Sequence, residues 1–78
     1  MEENIREIAQ KIAIEFQLSI KERTDKLLKL DAEMYTNLGT DSTKAEKQRV
    51  KSDSKFIYKQ IKGINEEIGK QLLDHIDS

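Results

Sequence analysis

The sequence predicts an all-α protein: a long antiparallel helical hairpin that assembles into a helical bundle. Three observations predict it. Apolar residues recur at three- and four-residue steps through both halves of the chain, the spacing that lines up one face of a helix. There is no proline, and 37% charged residues are interleaved with ten isoleucines and seven leucines, a composition of long helices and coiled coils. Finally, residues 37–46 carry a stop signal and a start signal back to back.

The 78 residues accommodate one domain, 1–78, with a helix over about 3–38, a turn at 39–42 and a helix over about 43–76. In the first helix Ile5, Ile8, Ala9, Ile12, Phe16, Ile20, Leu27, Leu30, Met34 and Leu38 fall within about 120° of arc. A stripe that holds its phase so long predicts one continuous rod of roughly 50 Å. Arg23 and Thr24 interrupt it, and Ser19-Ile20-Lys21-Glu22 has the form of a capping box. A break near 19–24, giving three helices in all, is the alternative. Ile14, Leu18, Leu28 and Tyr35 lie off the main stripe. One neighbouring helix cannot cover both sides, so this second set is expected to meet another copy of the chain or a different protein.

At the turn, Gly39 follows the periodic run, where a left-handed residue commonly ends a helix and glycine adopts that conformation cheaply. Thr40, Asp41, Ser42 and Thr43 can each cap a new helix, and Thr43-Lys44-Ala45-Glu46 is a second capping box.

In the second helix Val50, Ile57, Ile61, Ile64, Ile68, Leu72 and Ile76 form the stripe, with Ser54 at a core position of the heptad seam. Phe56 and Leu73 lie off it and join Ile14, Leu18, Leu28 and Tyr35 as the expected oligomer interface. Gly63 and Gly69 each cost ~1 kcal/mol of helix propensity relative to alanine. They either admit a neighbouring backbone or loosen the helix towards its end.

Charge is distributed in blocks. Residues 1–43 hold six Lys/Arg and nine Asp/Glu, net −3; residues 44–62 hold seven against two, net +5; residues 63–78 hold one against four, net −3. In the basic block Lys44, Lys47, Lys51, Lys55, Lys59 and Lys62 step by three or four residues and share one helix face beside the apolar seam. Like charges four residues apart repel, so such a ladder costs helix stability unless anions lie near. It is read in three ways: a solvated face, or one paired with Glu22, Asp25, Asp31 and Glu33; a site for nucleic acid or a nucleotide, helped by Tyr58; or a dock for an acidic protein.

Few other chemistries find support. There is no cysteine and a single histidine, His75, so the residue types that hold zinc are missing and no metal or other cofactor is expected. No glycine-rich phosphate-binding motif occurs, and no carboxylate sits in an apolar run of the kind that shifts a catalytic pKa. A helix-turn-helix reading around Gly39 meets Tyr35 where a small residue is needed and Ala45 where a larger apolar one is. No stretch approaches the ~18 apolar residues of a membrane span, and Met1-Glu2-Glu3-Asn4 is no secretory signal, so a cytoplasmic location without membrane contact is expected. The functional expectation is therefore a non-enzymatic interaction protein, an adaptor or inhibitor, working as a homo-oligomer on a protein partner. Its small, charged composition is of a kind common among phage accessory proteins. The alternative is an oligomeric polyanion binder that uses the lysine ladder.

Overall fold

The computed structural model describes residues 4–39 and 43–76, and among these it contains four helices and no strand. They are α1 (Ile5–Ala13), α2 (Ile20–Asn37), α3 (Lys44–Ile64) and α4 (Glu66–Ile76). Thr40, Asp41 and Ser42 of the expected turn lie outside the described residues.

Each helix starts at a side chain that can take an orphan backbone N–H. Asn4 Oδ1 accepts from the Arg6 amide at 2.8 Å, and Ser19 Oγ from the Glu22 amide at 3.1 Å. Thr43 Oγ1 accepts from the Glu46 amide at 3.1 Å, and Asn65 Oδ1 from the Ile68 amide at 3.4 Å. Caps of this kind are worth about 1 kcal/mol apiece. Both capping boxes read in the sequence thus mark true helix starts.

The continuous rod expected over 3–38 is instead two helices. α1 stops at Ala13, tight backbone bonds turn the chain (Phe16 N–H to Ile14 O at 2.9 Å, Leu18 N–H to Glu15 O at 3.0 Å), and Ser19 restarts it. Packing explains the break. At 1.5 Å per residue the 21 residues of α3 span about 32 Å, too short to cover a 50 Å stripe. Folding at 14–19 lets α1 and α2 pack against each other, and both then rest on α3. Ala9, Leu27, Met34, Ile57 and Ile61 form the buried core, with Ile5, Ile12, Leu30, Val50, Ile64 and Leu72 half-buried around it. Ser54 is fully buried, in the seam position its spacing assigns.

The second helix also bends. Asn65 leaves helical geometry (φ −147°, ψ 87°), and α4 packs against α3. Glu66 and Glu67 then occupy the first turn of α4, where acidic side chains complement the helix dipole. The two interior glycines differ. Gly69 is buried against Lys62, and a Cβ there would collide with the Lys62 backbone; one at Gly63 would meet open space. At the other turn α2 ends at Asn37 because Leu38 is extended (φ −81°, ψ 101°), and no glycine among the described residues has positive φ. The expected left-handed ending at Gly39 is replaced by an extended exit one residue earlier.

The two glycines give opposite predictions. Gly69→Ala should destabilise the protein by about 1–3 kcal/mol, because the backbones must part. Gly63→Ala should stabilise it by up to ~1 kcal/mol through helix propensity. Urea melts of both variants followed by circular dichroism check this, and equal shifts in the same direction would remove the close-packed corner from the account.

Candidate functional site

Three groups of side chains stand out from the scaffold: an apolar corner between α1 and α2, a buried polar cluster between α2 and α3, and the outer face of α3.

The corner is made by the break. Phe16 and Ile20 belong to the core stripe of an unbroken helix, but with α1 ending at Ala13 they face solvent. Phe16 is 80% exposed, Ile14 64% and Ile20 50%. Beneath them Arg23, buried in the first turn of α2, reaches back across the connection. Its Nη1 donates to the carbonyl of Ala13 at 2.9 Å, and its guanidinium lies over the Phe16 ring, 5.3 Å from the centroid. A cation at the carbonyl end of α1 satisfies an orphan acceptor and meets the negative end of the helix dipole. Arg23, an interruption in the sequence pattern, is thus the latch of α1 and the seat of Phe16. An exposed Lys26–Glu15 pair at 3.7 Å crosses the same connection and contributes little, being open to water.

The buried cluster consists of Asp31, Ser54 and Tyr58. The Tyr58 hydroxyl donates to Asp31 Oδ2 at 2.8 Å, joining α2 to α3. Burial pushes the Tyr58 phenol above its usual value of 10. The hydrogen bond to Asp31 and the carboxylate's negative charge add to the rise, and the neighbouring Ser54 hydroxyl opposes it. Ser54 Oγ lies close without closing a hydrogen bond of normal geometry, and Asp31 Oδ1 is buried without a partner. Tyr58 therefore serves the helix interface, and its hydroxyl is directed at Asp31 and not at a ligand on the lysine face.

On α3, Lys44, Lys47, Lys51, Lys59 and Lys62 are exposed and Lys55 is half-buried. Gln48, Lys51, Ser52 and Lys55 line a shallow depression on this face. Of the acids expected to neutralise the ladder, Asp31 is committed to Tyr58, whereas Glu22, Asp25 and Glu33 are exposed. Beside this depression Arg6 anchors α1 to α3. It pairs with Asp53 at 3.0 Å, donates to Ser52 Oγ at 2.9 Å and lies over the Phe56 ring at 5.1 Å.

The residues expected at an oligomer interface differ in exposure. Leu28 and Phe56 pack against the chain's own core, and Phe56 also lies under Arg6 of α1. Leu18 and Leu73 are half-buried, whereas Ile14 and Tyr35 are exposed. His75 lies in the last turn of α4. Among the described residues no group of three or more His, Cys, Asp or Glu is placed to hold a metal ion, and no helix is long and apolar enough to cross a membrane.

Fold and surface together define a small all-helical bundle domain with one apolar corner and one cationic face. Comparison with protein-family models, curated proteins and solved structures finds no match to this chain.

Tyr58→Phe should cost about 1–3 kcal/mol at neutral pH, since it strips a buried carboxylate of its donor. Pairing it with Asp31→Leu should recover much of that loss, and a double-mutant cycle of denaturant melts measures the coupling. The raised Tyr58 pKa also fixes a pH window. The folded state holds the phenol proton more tightly than the unfolded chain, so this stabilisation is complete below pH 10 and fades as pH rises through the folded pKa. Melts taken above pH 10 should show a loss of stability that is smaller in Tyr58→Phe.

Proposed function

We propose that the protein is a non-enzymatic interaction module that works as a homo-oligomer, with a second copy seated on Ile14, Phe16 and Ile20. One observation carries the reading: a phenylalanine that is four-fifths exposed is held in place over Arg23, beside two exposed isoleucines. Clustered exposed apolar side chains mark interaction surfaces, and pre-placed aromatics dominate their energetics. Burying Phe16 would contribute about 1.5–3 kcal/mol, once from each copy in a two-fold contact.

The surroundings favour a second copy as occupant. Glu15, Lys21, Glu22 and Lys26 rim the corner with two charges of each sign, all exposed. Such a balanced rim can meet itself across a two-fold axis, whereas a strongly acidic or basic partner would face repulsion from half of it. The chain also gains from association, since among the described residues only six apolar side chains are buried. In this reading the oligomer serves as an adaptor or inhibitor that presents its remaining faces to a larger protein.

Phe16→Ser tests the reading with little risk to the fold, because the ring is mostly in water. The wild-type chain should sediment as an oligomer at micromolar concentration, and the variant as a monomer with its helical signal retained. A wild-type chain that is monomeric through hundreds of micromolar, or a variant that associates equally well, would overturn the second-copy assignment.

A further inference from the structure

We infer that the lysine face of α3 is a binding surface for the sugar-phosphate backbone of double-stranded nucleic acid, independent of base sequence. From Lys44 to Lys62 the six lysines follow one unbroken helix over about 27 Å, roughly the axial length of eight base pairs. Five of the six are exposed. Asp31, on the helix facing α3, is turned into the core by Tyr58 and not towards these five exposed lysines.

The character of the face selects the partner. Gln48 and Ser52 lie between the lysines, so what the face offers is cations and hydrogen-bond donors. Its large apolar neighbours are engaged elsewhere: Ile57 and Ile61 are buried, and Phe56 packs under Arg6. The centres of protein interfaces are depleted of lysine and anchored by aromatics, whereas nucleic-acid interfaces are polar and strongly positive. An acidic protein would find charge here and no anchor. A single strand would find no stacking platform, because Tyr58 is tied to Asp31 and Phe56 lies beneath Arg6. A duplex backbone needs neither. It needs a row of flexible cations, and lysine is a point charge that adapts to phosphate positions without reading bases.

The lysine face belongs to α3 and stands apart from the apolar corner between α1 and α2. The test is binding of the full chain to a fluorescent mixed-sequence 20-base-pair duplex between 50 and 200 mM NaCl. Counterion release by the five exposed lysines gives a slope of log K against log salt of about −4.5. The exposed-site variant Lys47→Gln/Lys51→Gln/Lys59→Gln should keep its circular dichroism spectrum and lose about 2.7 from the magnitude of that slope. Phe16→Ser should retain the wild-type slope. Absence of duplex binding at 50 mM salt, an unchanged slope in the triple variant, tighter binding to poly-glutamate than to duplex, or loss of the slope in Phe16→Ser would each overturn the inference.

Discussion

The packing of two short helices onto one long one governs this structure. Ile57 and Ile61 of α3 are fully buried, and no single neighbour covers them: Ala9 comes from α1, Leu27 and Met34 from α2. Ala9 has only a methyl group to place, so α1 can lie near the α3 backbone. Satisfying both sides of α3 requires the chain to reverse direction within the first 40 residues. That requirement overrides a stripe whose phase would let one helix run on. The break exposes Phe16 and Ile20, brings Arg23 to the end of α1, and gives Leu28 and Phe56 neighbours within their own chain.

Part of this was legible beforehand. The all-helical class, the starts at Ser19 and Thr43 and the burial of Ser54 follow from local patterns, because caps and seam positions are set by neighbours in sequence. The stop after Ala13 and the corner at Asn65 are different. Neither has proline, and the glycine that matters at the corner, Gly69, lies four residues beyond it. Both record where a partner helix runs out, which depends on residues tens of positions away. Asn65 followed by Glu66 and Glu67 is a cap with an acidic first turn, a signal that a stripe-based reading passes over because Ile64 and Ile68 keep the period. At the candidate site the lysines were visible as a ladder. The apolar corner was not, since spacing alone places its members either in the core or on a broader second face. Arg23 and Asp31 escape a sequence reading for a related reason: charged residues read as surface until a specific partner, Ala13 O or Tyr58 Oη, makes burial tolerable.

The buried polar cluster and the charged outer face are linked through α3. Ser54 and Tyr58 face α2 from the same helix that carries the lysines, one turn apart. Tyr58 holds an acidic side chain inside the protein, and in doing so withholds it from the cations outside. The net charge of −1 therefore conceals an uneven distribution: residues 44–62 carry a net +5, and the blocks on either side in sequence carry −3 each.

Arg23 touches two things at once, the last carbonyl of α1 and the ring of Phe16. Whatever covers that ring also presses on the cation that closes α1 against the bundle. Occupancy of the corner and the release of α1 are then a single equilibrium viewed from its two ends, so a partner that favours the seated ring would slow hydrogen exchange along Ile5–Ala13, and any loosening of that first helix would weaken the partner's hold.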